Sequence, residues 1–191
     1  MRIIAGKYKR TPLKTLEGEE ITRPTRDMVK EALFSSIDIY SDTKVLDLFS
    51  GSGAIGLEAL SRGAEDAVFN DINRDAVRII KENLKKLNEN RTVYNMDYAG
   101  CLNSLKGRQF DYIYCDPPYA FDRYDDIFEK VSENDVLSHD GIMIMEVRKD
   151  TDLKDRYQDL SKYKEKRYGI SKLLYYRKET NNDQSDLSGN L

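Results

Sequence analysis

The chain reads as an α/β fold: a doubly wound, mostly parallel sheet with a C-terminal antiparallel hairpin and a small basic hairpin-and-helix extension at the N-terminus. Three observations predict it. Apolar, β-branched runs alternate with amphipathic stretches from Lys44 to Val147, the pattern of repeated strand–helix units. The first of those runs passes directly into Gly51-x-Gly53-x-x-Gly56, a glycine turn between strand and helix. The last two β-like runs, 163–168 and 171–177, have no helix between them, so they pair as a hairpin at a sheet edge.

Residues 2–16 suggest two short strands around a basic turn, broken by Gly6 and Pro12. Lys7, Lys9 and Arg10 around Tyr8 suit a surface that follows phosphates, although lysines also guard solvated edge strands. Apolar positions 28, 29, 32, 33 and 37 have helical spacing, with Thr25 or Asp27 as the N-cap. Residues 44–49 form the first core strand, and the helix after the glycine turn stops near Gly63. A second strand, 67–71, precedes a helix over 74–88 with Ala76, Val77, Ile80, Leu84 and Leu87 along one face. A third strand, 91–97, leads into a short helix at 98–105. The strand 110–115 comes next, then a helix marked by Ile127, Phe128 and Val131. Residues 141–147 are a buried fifth strand, and His139 before it reads as a loop residue. Residues 179–191 have almost nothing to bury and are expected to be a disordered tail. The division is therefore 1–40 extension, 41–178 main domain, 179–191 tail.

Composition bounds the class. Among 191 residues, 39% are hydrophobic and 34% charged, enough for one core beneath a polar surface. There is no 18-residue apolar run and no leader-like h-region, so the expectation is a soluble cytoplasmic monomer with no membrane contact. Cys101 and Cys115 have no metal-ligand or disulfide spacing, and no metal is expected. Net charge is −3, yet the first 30 residues carry eight basic and four acidic side chains, leaving −7 for the rest. That polarity leaves room for a nucleic-acid partner at the basic end.

The chemistry points to Asp116-Pro117-Pro118-Tyr119, directly after the strand 110–115. Two prolines cannot continue a ladder, so the chain must leave the sheet there, at the edge where open α/β sheets bind ligands. An exocyclic amino group on a nucleobase is a poor nucleophile because its lone pair is delocalised into the ring. A carboxylate (Asp116) and a carbonyl (Pro117) accepting its two N–H bonds favour a pyramidal nitrogen, Tyr119 offers a stacking face, and Pro118 stiffens the turn. Alone, the tetrapeptide reads more readily as a surface turn; the glycine-rich stretch about 65 residues upstream changes that.

Acids also end the neighbouring strands. Asp71 lies 20 residues after Gly51, the spacing of a ribose-binding carboxylate, or else caps the next helix. Asp97 either meets an adenine amino group or caps the 98–105 helix. A nicotinamide dehydrogenase would share the glycines and Asp71 but has no need of the Pro-Pro turn. An S-adenosylmethionine methyltransferase accounts for all four acids: Asp47 for the methionine ammonium, Asp71 for ribose, Asp97 for adenine, Asp116 for the methyl acceptor.

DLFSGSGAIGLEALSRGA (47–64), DPPY (116–119), RPTRDMVKEALF (23–34) and RIIAGKYKR (2–10) together resemble the bacterial RsmD-type methyltransferases over about residues 1–178. The glycine loop and DPPY are generic to amino-directed methyltransferases; RPT-x-D and the basic opening are specific to that family. The resemblance implies a Rossmann-like class I methyltransferase that modifies the N2 amino group of a guanine in small-subunit (16S) rRNA, within a partly or fully assembled subunit. It implies S-adenosylmethionine on Asp47, Phe49, Gly51, Ser52, Gly53, Asp71 and Asp97, with Ile72 and Tyr98 beside the last two acids. Asp116 through Tyr119 would hold the guanine, and Lys7, Lys9, Arg10, Arg23 and Arg26 the RNA. The alternatives are a DNA adenine or cytosine amino-methyltransferase, and a non-catalytic RNA-binding ribosome assembly factor.

Overall fold

The computed structural model describes residues 1–16 and 23–179, with side chains from residue 27 onward in the first helix. The expected tail beyond 179 and the side chains of Arg23, Thr25 and Arg26 lie outside the described residues. One eight-stranded sheet, ordered β3-β2-β1-β4-β5-β8-β7-β6, carries the fold. Its strands are β1 (Lys44–Asp47), β2 (Asp66–Asn70), β3 (Val93–Tyr94), β4 (Phe110–Cys115), β5 (Leu137–Arg148), β6 (Arg156–Tyr157), β7 (Leu160–Tyr168) and β8 (Ser171–Lys178). β1 to β5 are parallel; β8 joins β5 antiparallel, and β7 joins β8 the same way. The predicted fold class and closing hairpin are thus what the chain forms.

The helices are α1 (Arg23–Phe34), α2 (Ala54–Arg62), α3 (Arg74–Lys86), α4 (Tyr98–Ser104) and α5 (Tyr124–Glu133). Successive strand residues face opposite sides, and the cores divide accordingly. Leu46, Val68, Ile113, Cys115, Met143 and Met145 pack with α4 and α5. Val45, Tyr114, Ile144, Leu173 and Tyr175 pack with α1, while Ala67 and Phe69 pack with α2 and α3. The central strands β1, β2, β4 and β5 are therefore covered on both sides, as a parallel sheet must be, while β7 remains largely open to solvent.

Several elements differ from the sequence reading, each for an identifiable reason. Residues 2–16 make only one β-bridge, Arg2 to Pro12. The two halves do face each other as a narrow hairpin, with Ile3 N–H donating to Thr11 O at 3.0 Å, Arg10 N–H to Ile3 O at 2.9 Å and Leu13 N–H to Met1 O at 3.0 Å. The amides between turn to α2 instead: Ile4 and Ala5 N–H donate to the Glu58 carboxylate at 2.8 and 3.0 Å, and Lys7 N–H to Ser61 O at 2.7 Å. The segment is docked on α2 and shares a core with α2 and α3 through Ile3 and Leu13. α1 begins at Arg23, so Thr25 and Asp27 lie inside it and neither is its N-cap. β3 is only two residues, and β5 starts at Leu137, which puts His139 in a strand rather than a loop. Within β5, Ile142 and Glu146 are half-buried. β6, not foreseen, pairs with β7. Glu179, expected to open the tail, donates its N–H to Asp159 O and pairs with Arg156.

Candidate active site

Strand order reverses between β1 and β4, because the chain builds outward through β2 and β3 before returning to the other side of β1. A crevice opens at such a switch point, beyond the strands' C-terminal ends. The glycine turn after β1 and the Asp116–Tyr119 turn after β4 both lie there.

The glycines have distinct jobs. Gly51 and Gly53 sit at φ +52° and +78°, where a side chain would be strained. Gly56 has ordinary φ, but a Cβ there would come within 2.3 Å of the Phe69 ring, so it allows α2 to lie close on β2. Asp47, 1% exposed, lies beneath this loop and accepts the Gly56 N–H at 3.1 Å. Burial pushes its pKa up to about 7, with the Gly56 bond opposing and the Asp71 charge adding. It meets the protein's own amide rather than open space, so it braces the loop. Ser52 is also turned inward, its hydroxyl directed at Met1 Sδ.

Asp71 accepts Gly51 N–H and Asn73 N–H, each at 2.8 Å, through its two oxygens. It ties the strand-2 turn to the glycine loop, and the N-cap of α3 is Asn73 instead. Ile72 beside it is 71% exposed. Asp97 is exposed and caps α4, accepting Gly100 N–H at 2.7 Å. Asn70, 1% exposed, donates to Leu48 O, while its Oδ1 has no partner. A cradle of positive-φ glycines, two carboxylates at adjacent strand ends, an exposed apolar side chain and an unmatched buried acceptor suit an adenosine-bearing ligand carrying hydroxyls and a cation.

On the α4–α5 side the crevice has an aromatic wall. Phe49, Tyr98 and Phe121 meet pairwise at 5.5–5.9 Å between ring centres, and Tyr124 adds an edge contact to Phe121 at 5.2 Å. Tyr98 donates to Asp126, and Arg123 lies over its ring. Burial pushes the Tyr98 pKa up to about 12, so the hydroxyl stays a donor. Phe121 fixes the start of the 120–126 loop, its N–H donating to Pro118 O at 2.8 Å.

Asp116 is exposed at the end of β4, Pro117 is buried and Tyr119 is 67% exposed. Two residues earlier, the buried Tyr114 donates to Glu146 of β5. Its pKa is raised well above the ordinary value by burial, then by the Glu146, Asp116 and Asp47 charges. The hydroxyl is thus held neutral by burial, by its bond to Glu146 and by the charges at the ends of its own and the neighbouring strand. Arg148, at the end of β5, places its guanidinium 5.8 Å from the Tyr119 ring centre.

The DPPY turn, the glycine loop and the three other acids come together. The basic turn does not join them: Gly6–Arg10 packs against Ser61 near the C-terminal end of α2, about 12 Å along the helix from the glycine loop. Lys7 there pairs with Glu89 at 2.8 Å, whereas Lys9 and Arg10 are exposed. Phe121, Glu146 and Arg148 were missed in the sequence; an aromatic five residues after Asp116 is the one signal that could have flagged Phe121. A cleft of about 520 Å³ at the opposite end of the strands includes Lys44, Glu65, Asp66 and Arg108, whose charges pair with one another.

Fold and site together define a Rossmann-like methyltransferase. A family model described as "Conserved hypothetical protein 95" matches residues 1–177. The chain is 36% identical over 183 residues to YlbH of Bacillus subtilis, whose name provisionally makes it an rRNA methyltransferase, covering 93% of this chain and 99% of that one. It is 34% identical over 158 residues to "Ribosomal RNA small subunit methyltransferase D" of Haemophilus influenzae, covering 80% and 81%. A conserved hypothetical protein of Streptococcus pyogenes superposes with TM-score 0.73 at 37% identity, covering 78% of this chain and 95% of that one. The chain belongs to this family, the RsmD-type methyltransferases.

Proposed function

We propose that this chain transfers a methyl group from S-adenosylmethionine to the exocyclic N2 amino group of a guanine in small-subunit rRNA, as a cytoplasmic enzyme. One observation carries the reading: a stiff Asp-Pro-Pro-Tyr turn sits beside the glycine loop at the switch point, its carboxylate and ring exposed and its first proline buried. The names of the relatives support rRNA of the small subunit as the substrate.

S-adenosylmethionine, when bound, would supply a methyl group activated on a positively charged sulfur, its C–S bond breaking to leave a neutral thioether as the nitrogen takes the methyl. Gly51, Gly53, Asp71, Ile72 and Asp97 would hold it along the rim, with Asp47 and Ser52 supporting the loop from below. Asp116 and the Pro117 carbonyl accept the two N–H bonds of the target amine and aim its lone pair. Tyr119 stacks on the guanine flipped out of single-stranded or looped RNA, which costs about a few kcal/mol of lost stacking. The amine's proton leaves to water once the new N–C bond forms. Lys9, Arg10, Arg23 and Arg26 are assigned to RNA, with Lys7 contributing once released from Glu89.

The test is transfer of labelled methyl from S-adenosylmethionine to naked 16S rRNA, unmethylated small subunits and duplex DNA offered in parallel. Label recovered as N2-methylguanine from rRNA or subunits is the expected result. Label in DNA alone would overturn the substrate, and no label despite cofactor binding would favour the assembly-factor alternative.

A further inference from the structure

The basic turn near α2 lies away from the DPPY edge, so a strand of RNA delivering a base to Asp116 needs cations closer by. The α1 face of the C-terminal hairpin supplies them. Register lines cross the sheet from the site outward: Arg148 pairs with Ser171, which pairs with Tyr168. One step on, Glu146 pairs with Leu173 and that with Lys166; then Ile144 with Tyr175 and that with Lys164. Cross-strand partners share a face, so Tyr168, Lys166 and Lys164 continue the surface on which Glu146 and Arg148 stand. Lys164 and Lys166 are separated by about 6.7 Å along β7, and β7 lies roughly 10 Å from β5.

The bulge between Lys162 and Lys164 adds a ring to this row. Tyr163 is 41% exposed, and Arg177 lies 5.2 Å over its ring centre. Lys164 lies 4.7 Å over Tyr175. Among the described residues no carboxylate pairs with Lys164 or Lys166. The neighbouring Glu165 pairs in register with Leu174, on the opposite face, and bonds Arg167. At the site end Arg148 is held by Asp150 at 3.1 Å and faces Tyr119.

We propose that this row, from Arg148 through Tyr168 and Lys166 to Lys164, Tyr163 and Arg177, is a track for the single-stranded RNA flanking the target base. The lysines contact phosphates, and the exposed Tyr163 ring, with the half-buried edge of Tyr168, stacks on bases, the combination that binds single strands without reading sequence. The inference rests on the proposed rRNA substrate and adds a second contact surface to it. Lys164 and Lys166 bring two cations to this face with no carboxylate paired to either among the described residues, which suits a polyanion. Stacking rings between the cations favour exposed bases over a lipid surface.

The variant Lys164→Gln/Lys166→Glu tests the track on the full chain, alongside RNA binding by the wild type. Expected is an increase of about tenfold in KM for rRNA or subunits, with S-adenosylmethionine affinity and the unfolding midpoint unchanged. The slope of log affinity against log salt should fall by about one unit per lysine. Ultraviolet crosslinking of the wild type, which needs no substitution, should place RNA on the peptides holding Tyr163 and Tyr168. Unchanged KM, unchanged salt slope and no crosslink there, with methyl transfer intact, would overturn the track and leave the proposed function standing. Wild-type protein that methylates no RNA but loses RNA binding in the variant would keep the track and overturn the function. Absence of RNA binding by the wild type would overturn both.

Discussion

Two carboxylates show how differently this chain uses one functional group. Glu58, on α2, is completely buried and collects four donors: Ile4 and Ala5 N–H, Arg62 Nε at 2.9 Å and Lys30 Nζ at 3.2 Å. Lys30, itself 3% exposed, passes another bond to Arg2 O. Burial lowers the Lys30 pKa, opposed by the Glu58 charge. Asp116 is exposed at a strand end on a turn that two prolines stiffen. The first is surrounded by the protein and holds the N-terminal segment in place. The second is presented outward at the strand end, beside the glycine loop. A carboxylate's accessibility, more than its identity, separates architecture from chemistry here.

Removing the first should cost the most stability. Glu58→Ala leaves Lys30 buried without its partner and strips two amides of their acceptor, which costs about 3–5 kcal/mol. Thermal unfolding should register a fall on the order of 10 °C. Glu58→Gln, which keeps an acceptor without charge, should lie between the two. An unchanged midpoint in Glu58→Ala would break the contrast from the architectural side.

Asp47 sharpens the comparison, being an acid at the site with the burial of a structural one. Its pKa is raised to about 7 in the folded chain against 3.8 as a free aspartate. Between those values the folded state keeps a proton that the unfolded state has lost, so this group's contribution makes stability fall as pH rises from 4 to 7. The slope is at most about 1.4 kcal/mol per pH unit. Asp47→Asn removes that component while keeping an acceptor for Gly56. Its unfolding midpoint should therefore decline less than the wild type's over the same pH range. Equal pH profiles would show that Asp47 is not held protonated.

A smaller effect belongs to Tyr119. Base stacking is worth about 1–3 kcal/mol, so Tyr119→Ala should lower kcat/KM for rRNA by roughly 10- to 100-fold. Tyr119→Phe, which keeps the ring, should stay near wild type. A Phe variant as weak as Ala would assign the work to the hydroxyl and not to stacking.

Much of this was legible in the sequence because it is local. The alternation of strands and helices, the glycine turn and the acids at strand ends are all set by near neighbours in the chain. The DPPY turn was readable because proline's lost donor forces an exit from the sheet. Glu58 was not readable: within AIGLEALSR it looks like any solvated helix residue, and it is residues distant in the chain, Ile4, Ala5 and Lys30, that cover it. For the same reason the sequence shows that residues 2–16 fold back on themselves but not that Glu58 and Ser61 take the amides between, which keeps the pairing to a single β-bridge. Asp47 was expected to face a ligand, but the close approach of α2 to β2 that Gly56 allows seals it under the loop. The Tyr114–Glu146 pair and the position of Arg148 over Tyr119 depend on strand order, which no single strand encodes.

The most direct measurement is single-turnover methyl transfer to unmethylated small subunits by Asp116→Ala, with S-adenosylmethionine binding measured on the same preparation. Loss of the group that positions the amine should slow transfer by at least about 100-fold, while cofactor affinity and the unfolding midpoint stay at wild-type values. Near-normal transfer by that variant would contradict the assignment of the methyl acceptor to the DPPY turn.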